Sequence, residues 1–238
     1  MATKLKIQIW SDVMCPYCYI GKRRIEAALA QFEHRDNVEI EWKSFQLDAN
    51  FIASAEDSIV EHLAEKYRKD VHWAQEMMQS MTQNAKSAGL DFRLEKAIMA
   101  NSFNAHRLLH LAKKYQLSNT MEEILFKAYL TDGKNVNDLV TLKELALQVG
   151  LPEQEVDAVL ETDAYAKEVH ADLEMAQNIG VKGVPFFVFD SKYAVSGAQE
   201  VDTFVKTLEK VWEDGHYNIP LEDLSAQDGA SCGTQGCN

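Results

Sequence analysis

The 238 residues include only four cysteines, four prolines and eleven glycines, and 24 basic side chains stand against 37 acidic ones. Four cysteines at this length are too sparse for a scaffold held together by disulfides. The formal net charge of −13 leaves no excess of Lys and Arg to meet a phosphate backbone, which argues against nucleic acid as a partner. No run of about 18 apolar residues is present, which argues against a helical membrane span. The opening stretch MATKLKIQIW has neither an apolar core nor a small-residue cleavage site, so a cytosolic setting is expected. What is present, 46% hydrophobic and 26% charged residues, is the composition of a globular chain of one or two domains.

Hydrophobic spacing gives a coarse map. Leu5, Ile7 and Ile9 alternate with Lys6, Gln8 and Trp10 as a strand does; Ser11 to Met14 break it, and a helix starts near Pro16 and runs to Asp36 and Asn37. Val38 to Phe45 alternates again, completing a βαβ unit. From Ser58 to about Ile179 the spacing is helical, and Leu94, Ile98, Ala105, Leu108, Leu109, Ala112 and Tyr115 read as one amphipathic face. Gly89, Gly133, Gly150 and Pro152 divide this stretch. Pro185–Phe189 and Tyr193–Ser196 read as a hairpin turned by Asp190, Ser191 and Lys192, and Val201 to Trp212 as a closing amphipathic helix. Residues 216–238 are polar and small, and are expected to form a mobile tail.

The chemistry lies in Cys15-Pro16-Tyr17-Cys18, where a strand passes into a helix. Two intervening residues at a helix start bring the sulfurs within disulfide reach and leave the first exposed beyond the helix end. Orphan N–H groups and the helix dipole favour a thiolate at Cys15. Cys18, one turn further in, is then the resolving thiol that releases a mixed disulfide. The competing reading joins this pair to Cys232 and Cys237 as four sulfur ligands for zinc. A cytosolic Cys-x-x-Cys beside a βαβ unit favours the redox reading. Gly183-Val184-Pro185-Phe186 is the second signal: Pro185 is either a cis proline in a tight turn or merely a strand-opening one.

These motifs together resemble a family. The order strand, Cys-Pro-Tyr-Cys, helix, strand, long helical segment, Gly-Val-Pro-Phe-Phe, hairpin and helix is similar to the DsbA-like branch of the thioredoxin superfamily. More closely, Ser11–Gly21, Asn101–Leu108, Gly180–Pro185 and Ser196–Gln199 resemble the FrnE-like subfamily of thiol–disulfide oxidoreductases, over about residues 5–212. The resemblance implies an α/β thioredoxin fold with an inserted all-helical domain and a flexible C-terminal tail. The first half of the thioredoxin fold (βαβ) would occupy 1–57 and the helical domain 58–179; the second half (ββα) would occupy 180–215 and the Cys-containing tail 216–238. It further implies a cis Pro185 packed on the cysteine pair and a Val184 backbone that pairs with the substrate chain. Asn101 and His106 would open a helix facing the redox site. Pro16, Tyr17, Val184, Asn101 and His106 are therefore candidate substrate contacts, with Cys15, Cys18 and Pro185 catalytic.

Pro16-Tyr17 also resembles the dipeptide of glutaredoxins and tunes the reduction potential, which leaves oxidase, reductase and isomerase directions open. Cys232 and Cys237, spaced by a Gly-containing loop, form a candidate auxiliary redox pair that could exchange with Cys15, against an inert or metal-scavenging tail. Expected partners are cysteine-containing client proteins and a reductant of glutathione or thioredoxin type. No resident cofactor or metal is expected, and the oligomeric state is left open. Two other functions compete: a glutathione-dependent isomerase or transferase for small aromatic or polyketide substrates, and a zinc-binding or chaperone-like module. His106 and His110 lie one turn apart without the Glu of a zinc protease. Asp12 reads as a helix cap or turn maker, Met77, Met78 and Met81 as core or adaptable surface, and Glu153 to Asp157 as a solvated helix start.

Overall fold

The computed structural model describes residues 4–52 and 58–215, and the backbone of residues 222–223, 232–233 and 236–237. Strand β1 (Leu5–Ser11) pairs in parallel with β2 (Val38–Ser44) across helix α1 (Pro16–Gln31). Then come α2 (Ile59–Tyr67), α3 (Val71–Ser87), α4 (Phe103–Lys114), α5 (Ser118–Leu130), α6 (Leu139–Val149), α7 (Glu153–Glu161) and α8 (Ala166–Asn178). The chain returns through β3 (Gly183–Val184), β4 (Phe186–Phe189), β5 (Tyr193–Ser196) and α9 (Val201–Asp214). Three short strands follow: β6 (Glu222–Asp223), β7 (Cys232–Gly233) and β8 (Gly236–Cys237). Among the described residues the main sheet has the order β2-β1-β4-β5-β6, and β3-β7-β8 form a second, small sheet. β4 runs antiparallel to both β1 and β5, while β6 lies parallel to β5.

Two apolar clusters divide the interior. The first holds Leu5, Ile7 and Ile9 of β1, Ile25 and Ala28 of α1, Phe187, Phe189 and Val195 of the hairpin, and Phe204, Leu208 and Val211 of α9. It is the buried face of the sheet against α1 and α9, and the rings of Phe187 and Phe204 meet edge to face at 4.7 Å. The second runs through the helical layer from Met78 and Met81 to Leu125, Phe126 and Val156, and it includes Cys15 and Cys18. The cysteine pair thus sits at the seam between sheet and helices.

The helix starts follow local chemistry. Ser58, Asp70 and Asp138 accept the N–H of Glu61, Trp73 and Thr141, which satisfies donors that have no partner inside the helix. Gly150 closes α6 with a left-handed φ of 94°, and Pro152 precedes α7. One expectation fails. Leu94 lies in a 3-10 turn and Ile98 is 45% exposed and not helical, so the amphipathic face does not extend back beyond α4. Asn101 sets that limit: its carbonyl oxygen accepts the Phe103 N–H, and its amide donates to the carbonyls of Ala49 and Phe51. A side chain that satisfies a turn in this way competes with continuation of the helix.

The mobile tail expected at 216–238 falls largely outside the described residues. Within them, β7 pairs antiparallel with β3, Cys232 opposite Val184 and Gly233 opposite Gly183, and β8 pairs with β7, Cys237 opposite Cys232. No described helix is long and apolar enough to cross a membrane.

Candidate functional site

Cys15 is the N-cap of α1, with extended backbone angles and no side-chain cap, and Pro16 occupies the first turn. No acidic residue lies in that turn, so no carboxylate competes for the orphan N–H groups of the helix end. The turn leading in is fixed by the backbone: Cys15 N–H donates to Asp12 O, and Cys18 N–H to Cys15 O. The Val184–Pro185 peptide bond is cis, and the Cys15 thiol donates to Val184 O at 3.6 Å. Pro185 itself packs on Gly21, where an added Cβ would stand 2.9 Å from Pro185 Cγ and 3.3 Å from Phe187 Cζ. Gly21 is thus required by close approach.

Cys15 was expected to be exposed beyond the helix end; it is 0% exposed, covered by the loop that carries Val184 and by neighbouring apolar side chains. Cys18 is equally buried, and both are free thiols. Burial, then the neighbouring Cys15, pushes the Cys18 thiol well up, while the Asp12 N–H and the Ser11 hydroxyl pull it down. Tyr17 is raised by burial and by Cys15, and Pro16 is half-buried.

Asn101 and His106 part company. Asn101 lies at the lip of α4, bonded to Gln46, Ala49, Phe51 and Phe103, so its amide organises the loop after β2. His106 is 1% exposed, so it is not positioned as the substrate contact that was expected. Its Nε2 stands 3.6 Å from Asp12 Oδ1, too long for a hydrogen bond, and neither ring nitrogen has a hydrogen-bond partner. Burial opposes its charge, but Asp12, with Glu122 adding to it, pushes its pKa up. Asp12 makes the turn, accepting Met14 N–H and Leu47 N–H. His110 instead meets Ser44 and Asp172, both at 3.2 Å, so the two histidines serve different carboxylates.

Three functional candidates escaped sequence reasoning. Burial, then the charges of Cys15 and Tyr17, pushes the Tyr67 hydroxyl up, and that hydroxyl is buried without a hydrogen-bond partner. It lines an apolar cavity beside the cysteine pair with Met14, Pro16, Met78, Met81 and Met99. The others are Ser11 and Glu122, bonded at 2.7 Å behind Cys18. Nothing in the local sequence marks these three; Lys22, one turn beyond Cys18, is buried on α1.

A solved structure described as a probable DsbA oxidoreductase, SCO1869 from Streptomyces coelicolor, is similar at 38% identity and a TM-score of 0.83, covering 98% of each chain. The protein YwbO of Bacillus subtilis (strain 168) is 26% identical over 205 residues, which are 85% of this chain and 94% of that one. A 2-hydroxychromene-2-carboxylate isomerase structure aligns with a TM-score of 0.66 at 13% identity, covering 88% of this chain and 97% of that one. Identity that low speaks for the fold alone. The DSBA-like thioredoxin domain description matches residues 6–209, and the chain belongs to that family.

Proposed function

We propose that this protein is a cytosolic thiol–disulfide oxidoreductase or disulfide isomerase of the FrnE-like type, acting on cysteines of client proteins. Cys15 attacks a client disulfide, Cys18 resolves the mixed disulfide, and the Val184–Pro185 turn holds the client strand beside Cys15. The observation that carries this reading is the Cys15 thiol 3.6 Å from Val184 O, next to a strand edge that accepts an antiparallel partner. Strand addition supplies main-chain hydrogen bonds whatever the client sequence. That edge is paired by Cys232–Gly233, which supports assigning Cys232 and Cys237 as an auxiliary pair that exchanges with Cys15. Glutathione or a thioredoxin-type protein would set the redox state of the pair. Insulin reduction and refolding of scrambled ribonuclease test the proposal: both activities are expected in the wild type and lost in Cys15→Ser. Equal activity of the two proteins would reject it.

A second reading draws on the apolar cavity lined by Met14, Pro16 and Tyr67, which suits a small aromatic substrate of a glutathione-dependent isomerase. Turnover of such a substrate that survives Cys18→Ser would favour it, since that chemistry needs no resolving thiol.

A further inference from the structure

The loop after β2 and the first turn of α4 border a second cleft, separate from the apolar cavity beside the cysteines. We propose that this cleft binds the main chain of an extended, unfolded polypeptide and holds it along a trough that ends at Cys15. The inference deepens the redox reading above, because it names how a client is held away from its disulfide.

The cleft measures about 660 Å³, within the size range of ligand sites. Gln46, Asn50, Asn101, Asn104 and Asn137 supply its amides, and no Asp, Glu, Lys or Arg lines it. In a chain with 26% charged residues, such a lining disfavours ionic ligands, because a charge brought there loses water and meets no counter-charge.

A hydrogen-bond network fixes which way two of these amides point. Asn101 Oδ1 accepts the Phe103 N–H, so the Gln46 atom that meets it at 3.0 Å is the donor Nε2. The Gln46 carbonyl oxygen is left without a partner among the described residues, on a residue only 5% exposed. Asn104 Oδ1 accepts from Arg107 Nη1 at 2.9 Å, which leaves Asn104 Nδ2 as an uncommitted donor. Asn101 is a positioning residue rather than a contact, since its Nδ2 donates to the carbonyls of Ala49 and Phe51. One oriented acceptor and one oriented donor match a peptide unit, which offers an N–H and a C=O whatever its side chain. A sugar hydroxyl rotates to donate or accept and needs no such fixed pair. The rings of Phe103 and His170, 5.3 Å apart, and of Phe51 add apolar surface for the side chains that an unfolded client exposes.

The cleft is continuous with the redox site. Gln46, Ala49 and Asn50 also line the neighbouring depression. That depression in turn shares Leu47, Asp48, His62 and Lys66 with the cavity bounded by Met14 and Pro16, the residues on either side of Cys15. Asp12 fixes the path between them, accepting Leu47 N–H at 2.8 Å and Met14 N–H at 3.2 Å.

The test measures binding without redox chemistry. The full-length chain carrying Cys15→Ser is titrated into fluorophore-labelled α-lactalbumin that has been reduced and carboxamidomethylated, an unfolded polypeptide with blocked thiols, and followed by anisotropy. Saturable binding that persists at high salt is expected, since the cleft holds no charge to be screened. Adding Asn104→Asp keeps an acceptor for Arg107 but replaces the donor with a charged acceptor, and should weaken binding roughly tenfold. Asn137→Asp should weaken it as well, and its side chain has no hydrogen bond within the described residues to lose. Absence of binding, binding that salt abolishes, or folded variants that bind like their parent would each overturn the inference. Displacement by a neutral oligosaccharide would overturn it too, by assigning the amides to hydroxyls. Insulin reduction by the wild type against Cys15→Ser judges the redox reading separately. Equal activity with polypeptide binding intact rejects that reading alone, whereas a clear difference with no binding rejects the cleft alone.

Discussion

The two faces of α1 are built on opposite rules. Toward α9 and the sheet, Ile25 and Ala28 enter a cluster of aliphatic and aromatic side chains. Toward the helical layer, Cys18 and Lys22 are buried beside Ser11, Asp12, His106 and Glu122. The first face gains from area removed from water, a term that needs no particular geometry. The second buries polar groups among apolar ones, and these are costly to bury: Ser11 and Glu122 are bonded at 2.7 Å, while the His106 ring nitrogens have no hydrogen-bond partner. The fold is held by one face and the proposed chemistry by the other, on a single helix of 16 residues.

The sharpest way to break this contrast is to cut into each face separately. Phe204→Ala empties the apolar core opposite Phe187 and should lower unfolding free energy by about 3–5 kcal/mol in denaturant titrations. Its adduct chemistry with oxidised glutathione should persist wherever the variant is folded. Persistence would sharpen the comparison; a parallel loss would show that the faces are not separable.

Next in size is the polar face. The Glu122 carboxyl is raised above its ordinary 4.5 to about 7, so its contribution is fully present below the unfolded value and is lost as pH rises through the folded one. Between those values the wild type should lose stability on the order of 3 kcal/mol relative to Glu122→Gln. Chemical denaturation across that pH window checks the sign: a Gln variant that loses stability in step with the wild type would contradict it.

Gly21→Ala probes the junction of the two faces. Its Cβ would press on Pro185 and Phe187, neither of which is the free end of a flexible chain, so overpacking should cost about 1–3 kcal/mol. Because Pro185 follows the carbonyl that Cys15 touches, the alkylation rate of Cys15 should change as well. An unchanged melting temperature and unchanged alkylation would show that the proline can yield.

The smallest effect lies at the rim. Glu123 is held down to about 2 despite burial, by Arg23, Lys22 and Tyr19. A depressed carboxylate contributes above its unfolded value, and its contribution is lost as pH falls through the folded one. Glu123 is a third exposed, so Glu123→Gln should reduce stability at neutral pH by only about 1 kcal/mol. The variant should also flatten the loss on acidification below the unfolded value. A salt titration of thermal unfolding would measure how much of this is screened.

Much of the fold is legible in the sequence because it rests on periodicity and punctuation. The alternation Leu5, Ile7, Ile9 gives β1, and Pro185–Ser196 gives the hairpin, whose turn takes positive φ at Asp190 and Ser191. Gly150 marks a helix end because only a residue without Cβ takes φ of 94° readily. The breaks after α2, after α4 and before α8 were hidden, since Arg68, Gln116 and Tyr165 adopt left-handed φ without being glycine. At the site, Cys15, Cys18 and Pro185 announce themselves by local spacing, whereas Ser11 and Glu122 meet across 111 positions of chain.

What the sequence determined alone was therefore whatever neighbours along the chain decide: a cysteine pair at a helix start, a proline opening a strand, a helical segment between two halves of a sheet. The tertiary structure decided what depends on distant residues: the burial of Cys15 beneath Val184, the withdrawal of His106 from the surface, and the placing of Glu122 behind Cys18. Glu122, next to Glu123 in an amphipathic helix, reads as solvated because nothing local distinguishes the two. Only the packing of α5 against α1 and β2 removes it from water and gives it a hydroxyl for a partner.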